Sequence, residues 1–167
     1  MTRQGLATNL GGNLQFWSFQ FLYSDLTSQS GASATLDLYD ILTGPPYNTS
    51  TAMTFPKGSV ILYIRVKASV AFAGTAITSL KIRMGKSGGT TNFFTPDFEL
   101  TTTVADGTLQ ETFATPMGQL SATTPQVTFT AVGGNLSALT AGVVNIDVLL
   151  APVTTPTTTP YSSTNVL

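Results

Sequence analysis

The clearest pattern in the chain is a strict alternation of apolar and polar residues between positions 60 and 72. Arg65 and Lys67 occupy polar positions, and Ile61 and Tyr63 share their face. Because successive side chains of a strand point to opposite faces, this alternation predicts a β-strand with one buried face. The residues predicted to be buried are Val60, Leu62, Ile64, Val66, Ala68, Val70 and Phe72.

An aromatic strand is predicted earlier in the chain, over residues 14–23 (LQFWSFQFLY). Period-2 alternation places four aromatic residues on one face. Core packing or a subunit interface is the interpretation that this spacing favours, and a platform on which sugar rings stack is the alternative. The four aromatic residues are Trp17, Phe19, Phe21 and Tyr23.

Further short apolar or alternating segments follow, separated by turn signals such as Gly44-Pro45-Pro46, Asp106-Gly107 and Gly133-Gly134-Asn135. No helix of useful length is indicated. Eight or nine short strands without helices predict an all-β fold, an antiparallel β-sandwich, with a jelly roll preferred over an immunoglobulin-like sandwich. The additional predicted strands are residues 35–42, 80–84, 92–94, 98–104, 108–114, 126–132 and 143–150.

Both ends differ in composition from the middle of the chain. Residues 1–13 are polar and glycine-bearing and predict an extended N-terminal arm, and residues 14–151 form the sandwich domain. Residues 152–167 form a Thr/Pro-rich tail in which proline favours extended backbone. A tail without a core of its own is expected to lie on a neighbouring subunit or partner protein. The tail residues predicted to make this contact are Pro152, Pro156, Pro160 and Tyr161.

Composition points to a subunit of an assembly. Charged residues make up 9% of the chain and the net charge is −1, whereas an average soluble domain is roughly 25% charged. Such a surface has little self-repulsion to keep it dispersed as a monomer. We expect cytosolic synthesis and no membrane partner, because the start resembles no signal peptide and no apolar run approaches a membrane span.

The residue types present also limit which catalytic and metal sites the chain can form. Without Cys or His, the common zinc sites and the His- or Cys-based catalytic sets are excluded. Two carboxylates could still hydrolyse a glycosidic bond, and Asp97 and Glu99 share a predicted strand face, although a solvated pair beside a turn is the plainer interpretation. We therefore predict no enzymatic activity, cofactor, metal or small-molecule substrate. The negative net charge argues against nucleic-acid binding.

Four of the seven basic residues lie between positions 64 and 85. If this segment is a hairpin around Gly74, Arg65 faces Arg83 and Lys67 faces Lys81, and like charges directly opposite are destabilising. We predict that this basic quartet docks on an acidic surface of another copy or of another protein. Pairing with acids elsewhere in the same fold is the alternative, and placing the two strands in different sheets would remove the conflict.

Two runs of residues resemble small structural proteins of tailed bacteriophages. Residues 43–54 and the Thr/Pro tail depart from that pattern. The first run comprises Phe55-Pro56-Lys57-Gly58, Arg65-Val66-Lys67, Phe72-Ala73-Gly74, Leu80 and Gly85, and the second comprises residues 134–143 (GNLSALTAGV) and Asn145-Ile146-Asp147-Val148.

This resemblance implies a virion structural protein of the capsid decoration, or cement, type. Such a protein is expected to be a homotrimer on the outer capsid surface, to bridge subunits of the major capsid protein, and to be made in the cytoplasm of the host bacterium. The alternatives are a head-fibre or receptor-binding module for host glycans and a connector of the tail or baseplate.

Overall fold

The computed structural model describes residues 5–9, 14–41, 50–52, 55, 58–89, 91–102, 110–111 and 123–152. These residues form strands, one short helix, α1 (Tyr23–Leu26), and one 3₁₀ turn at Leu136–Ala138. The strands are β1 (Gly5–Asn9), β2 (Gln15–Leu22), β3 (Ser33–Asp37), β4 (Tyr39–Ile41), β5 (Ser50–Ala52), β6 (Ser59–Gly74), β7 (Ser79–Lys86), β8 (Phe98–Glu99), β9 (Gln110–Glu111), β10 (Pro125–Val132) and β11 (Leu139–Pro152).

Two antiparallel sheets form a β-sandwich. The large sheet has the strand order β1-β2-β11-β6-β9, the small sheet has the order β3-β10-β7-β8, and β4 pairs with β5 alone. Aromatic side chains of the two sheets meet in the core: the rings of Phe21 and Phe72 lie 5.5 and 6.5 Å from the ring of Phe129. The predicted all-β antiparallel sandwich is therefore confirmed.

Strand neighbours follow a nested order. Pairing joins β2 with β11, β3 with β10, β6 with β9, and β7 with β8, and every pair is antiparallel. Strands far apart in sequence therefore lie side by side, as in a long hairpin that is folded back on itself. Successive strand pairs of this hairpin alternate between the large and the small sheet.

The alternation predicted for β6 is correct in the middle of the strand and at Phe72, but not throughout. Ile64, Val66, Ala68 and Phe72 are buried as predicted. The register with β11 shifts at both ends of the middle stretch, because β6 carries an extra residue near Leu62 and another near Val70. A bulge of one residue changes which side chains face the core, so Leu62 and Val70 are exposed, whereas Ile61 is buried.

The predicted hairpin register around Gly74 is wrong. Strand β6 belongs to the large sheet and β7 to the small sheet, so the short turn between them crosses from one layer to the other. Gly74 is needed there, because a Cβ atom at this position would lie 2.5 Å from the carbonyl oxygen of Ala138. Separation into two sheets removes the predicted conflict between like charges.

Several other strand predictions need correction. Residues 35–42 do not form one strand, because β3 and β4 are separated at Leu38, whose side chain is buried. Residues 92–94 form no strand but a turn. Tyr23 begins α1 instead of ending β2, and its side chain is exposed.

The chain ends are described only in part. Gly5–Asn9, within the predicted N-terminal arm, pairs with β2 as the edge strand β1. Pro152 is the last residue of β11 and pairs with Ser59. Pro156, Pro160 and Tyr161 lie outside the described residues.

Candidate interaction surface

Each sheet presents one face to the core and one outward face, and the outward face of the large sheet is the candidate surface. Three neighbouring strands supply it, each with the residues that alternate with its buried ones. We call it the large-sheet face. Its residues are Phe16, Ser18, Gln20 and Leu22 of β2, Val143, Asn145, Asp147 and Leu149 of β11, and Tyr63, Arg65, Lys67 and Val70 of β6.

An ion pair lies at the centre of the large-sheet face. The register aligns Ser18, Asp147 and Arg65 in one row across the three strands. The Ser18 hydroxyl donates to Asp147 Oδ1 at 2.6 Å, and Arg65 donates from Nε to Oδ2 at 2.6 Å and also from Nη2. Asp147 is only 3% exposed. Its charge is thus neutralised within the chain.

The next row along the sheet is polar but uncharged except at one end. Gln20 Nε2 donates to Asn145 Oδ1 at 3.1 Å, and Asn145 Nδ2 donates to the Ser69 hydroxyl at 3.4 Å. Lys67 faces Asn145 in the register. No ion pair joins Lys67 to an acidic residue whose side chain the structure describes.

Apolar rows flank these polar rows on both sides. Leu149 lies between Phe16 and Tyr63, and at the opposite end Val143 lies between Leu22 and Val70. The two bulges of β6 add exposed surface, since Leu62 is 38% and Val70 is 46% exposed. A sheet face in contact with water is normally polar along its whole length. These two rows depart from that rule.

The outward face of the small sheet, here called the small-sheet face, is polar in nearly every row. Hydroxyl groups pair across its strands: Thr35 lies 3.0 Å from Thr128, and Ser33 lies 3.3 Å from Thr130. Asp37, Lys81 and Arg83 add charged groups to the same face. Val132, at the end of β10, is the exposed large apolar residue of this face among the residues described.

The basic quartet is divided between the two faces. Arg65 and Lys67 lie on the large-sheet face, whereas Lys81 and Arg83 lie on the small-sheet face. Arg83 Nε is 3.6 Å from Asp97 Oδ1, and Lys81 faces Glu99 in the register of β7 and β8. The four cations therefore do not share one surface, and both arginines have an acidic partner within the chain.

The carboxylate of Glu99 is held by four donors. The hydroxyl groups of Ser79 and Thr101 donate at 2.5 and 2.7 Å, and the backbone N–H groups of Leu80 and Thr101 donate at 2.9 and 3.2 Å. Burial alone would raise the pKa of Glu99, but these hydrogen bonds outweigh it and lower the pKa to about 2. A general acid needs a raised pKa. Together with the ion-paired Asp97, this environment is that of a structural carboxylate.

The aromatic stripe of β2 is part of the core. Trp17, Phe19 and Phe21 are buried, and the Trp17 ring lies 5.4 Å from that of Phe55. Core packing is therefore the correct interpretation of these three residues. A sugar-stacking platform needs exposed rings, so that interpretation is wrong for them.

Asp147 is the residue of this surface that the sequence prediction missed. A usable signal exists: no other acidic residue follows Glu111, and Asp147 interrupts an otherwise uncharged alternating strand. Sequence order alone does not reveal that its neighbour is Arg65. Within the described ranges, no group of three or more Asp and Glu residues could hold a metal ion. None of the helical residues in those ranges belongs to a helix long and apolar enough to cross a membrane.

Comparison with known proteins gives structural likenesses only. No family model matches the chain, and no curated protein matches it significantly. A chain of the capsid asymmetric unit of cyanophage Pam1 aligns with a TM-score of 0.53 and 11% identity, over 86% of this chain and 87% of that one. A chain of the acidic stable capsid structure of Helicobacter pylori bacteriophage KHP30 aligns over 89% and 92%, at 13% identity. The TM-score of this second alignment is 0.40, which is too low to indicate a shared fold. The first likeness shows a shared fold.

Proposed function

We propose that this protein is a non-enzymatic structural component of a bacteriophage virion. The observation that carries the proposal is the likeness of fold, over 86% of the chain, to a chain of the Pam1 capsid asymmetric unit. The resemblance of two sequence runs to small virion proteins points the same way. A fold by itself does not imply a function, so the virion must be examined directly.

Within the virion, we propose a decoration, or cement, role on the outer capsid surface. The protein would be a homotrimer that bridges subunits of the major capsid protein. Whatever binds only the assembled shell stabilises that shell by mass action, so no catalysis is required. The low charge of the chain supports a subunit that spends its functional life in an assembly.

We also propose that the sandwich is a jelly roll. Eight strands in two sheets with Greek-key connections define that architecture. The nested pairing of β2 with β11, β3 with β10, β6 with β9 and β7 with β8 supports it. Domain boundaries at residues 13 and 151 belong to the same proposal.

Docking on the shell is assigned to two groups of residues. Lys81 would meet acidic groups of the major capsid protein, where complementary charge sets orientation, and Arg83 would do so by exchanging Asp97, 3.6 Å away, for an acidic group of the shell. The tail residues Pro156, Pro160 and Tyr161 would lie on neighbouring subunits as extended backbone, and Pro152, which pairs with Ser59 at the end of β11, would mark where the tail leaves the sheet. Arg65 and Lys67, on the other face, would require a second contact.

Copy number in the virion tests the function. We expect quantitative mass spectrometry of purified virions to give a copy number in fixed proportion to the major capsid protein. A number typical of a single fibre or of a tail ring would replace the decoration role by the head-fibre or connector alternatives. Absence from virions would reject the proposed function altogether.

Deletion of residues 153–167 tests the tail. We expect the truncated protein to unfold at the temperature of the full chain, because the deletion begins after β11, but to occupy fewer sites on isolated shells. Equal occupancy would show that the tail contributes nothing to attachment. The double substitution K67E with K81E is expected to impair shell binding more than folding.

A further inference from the structure

We propose that the large-sheet face is the surface through which this protein binds a second copy of itself. The contact joins the same face of two copies and is therefore two-fold, so it is additional to the contact that would close the homotrimer of the proposed function. Its starting point is the pair of apolar rows on a face that would otherwise be polar. Rows of this kind on an outward sheet face indicate a surface that is covered in the assembled state.

The polar centre of the large-sheet face needs no new partners when water is removed. Burial of a polar group is costly when its hydrogen bonds are lost. Here Asp147 already accepts hydrogen bonds from Ser18 and Arg65, and Gln20 and Asn145 are joined to each other. Covering these rows would therefore desolvate groups that remain hydrogen-bonded.

Charge distinguishes between the partners that could cover this face. A surface that docks on an acidic protein needs cations that are free to pair with it. On the large-sheet face, Arg65 is already neutralised by Asp147, which leaves Lys67 as the one further cation among the side chains that the structure describes on this face. A nearly neutral, half-apolar surface fits another of the same kind, and the chain itself carries such a surface.

The extent of the face is compatible with a stable contact. Eight aligned residues of β2 and β11 make it about 27 Å long, at ~3.4 Å per residue. The three strands β2, β11 and β6 make it about 14 Å wide, at ~4.8 Å per strand. This gives on the order of 400 Å² before side-chain relief is added, about two thirds of the ~600 Å² per partner of the smaller stable interfaces.

Single substitutions of exposed valines on opposite faces provide a matched test. Val70 is 46% exposed on the large-sheet face and Val132 is 53% exposed on the small-sheet face. Both can be changed to Glu without emptying the core. In the purified full-length chain, we expect sedimentation analysis to give the mass of an even number of copies for the wild type and for V132E, because the contact joins copies in pairs. For V70E we expect self-association weaker by about tenfold or more.

A labelling experiment covers the case in which V70E fails to fold. The chain contains no cysteine, so V70C and V132C each introduce a single thiol. We expect a maleimide to modify V70C slowly at concentrations where the protein is oligomeric and faster on dilution, and to modify V132C at one rate throughout. Equal, concentration-independent rates at both positions would overturn the proposal, as would a wild type that is monomeric at all concentrations.

Failure of this inference is distinguishable from failure of the proposed function. If V70E keeps the wild-type mass but no longer binds isolated shells, the large-sheet face contacts the shell, the inference is wrong and the function stands. If V70E becomes monomeric and wild-type protein is absent from virions, the inference stands and the proposed function fails.

Discussion

The two outward faces of the sandwich both belong to antiparallel sheets, yet the side chains that they present to water differ. On the small-sheet face, hydroxyl pairs and partly solvated ions follow one another in nearly every row. On the large-sheet face, a shielded ion pair lies between two apolar rows. The small-sheet face is suited to contact with water, whereas burial of the apolar rows of the large-sheet face against another protein surface is favourable.

The ion pairs of the two faces show the same contrast. Asp147 is nearly inaccessible to water, while the side chain of Asp97 is 43% exposed and lies 3.6 Å from Arg83. Exposed pairs of this kind contribute little to stability because water screens them. An Arg–Asp ion pair is therefore expected to contribute more to stability on the large-sheet face than on the small-sheet face.

The largest effect is expected from removing the shielded carboxylate. D147A should lower the free energy of unfolding by about 2–3 kcal/mol, because Arg65 loses its partner and Ser18 its acceptor. The cost stays below that of a fully buried pair, since the Arg65 side chain is 36% exposed. Urea unfolding followed by the fluorescence of Trp17, the single tryptophan, measures it at one fixed protein concentration.

D97A on the small-sheet face is the matched control and should cost less than about 1 kcal/mol. The double variant R65M/D147L should recover most of the loss, because an apolar pair of similar size leaves no charge unpaired. If D97A proves as costly as D147A, the two faces do not differ in the way described.

A smaller, pH-dependent effect is expected at Glu99, on the small-sheet face. Its folded-state pKa of about 2 lies below the ordinary value of 4.5. Its stabilising contribution is therefore complete above about pH 4.5 and is lost as the pH falls towards 2. E99Q should cost about 1 kcal/mol near neutral pH, because the charge is screened by solvent. The difference in melting temperature from wild type should shrink on acidification; a constant difference down to pH 2 would contradict the assignment.

The smallest effects on folding are expected from V70T and V132T. Both valines are exposed, so each substitution should change the free energy of unfolding of the dissociated subunit by less than about 0.5 kcal/mol. The two should differ in self-association, which V70T weakens and V132T leaves unchanged. Dilution measured by light scattering provides this comparison, and a loss of association in V132T alone would reverse the roles of the faces.

Much of the fold was predictable because alternation reports burial directly. The buried residues of β2, of the centre of β6 and of β11, the last strand in the sequence, all follow the period of two. The bulges near Leu62 and Val70 were not predictable, because one extra residue on β6 has meaning only against the register of β11. The same limit explains the wrong hairpin: apolar residues would match across a pair of strands whether they share one sheet or face each other across the core.

The amino-acid sequence by itself determined the fold class, the aromatic core strand and the scarcity of charge, since each depends on residue type and local period. Only the tertiary structure decided which charges meet. Arg65 and Asp147 are 82 positions apart, and their pairing depends on β11 lying beside β6. That placement results from the packing of the whole sandwich, because long-range strand order is set by how two apolar faces can be buried together.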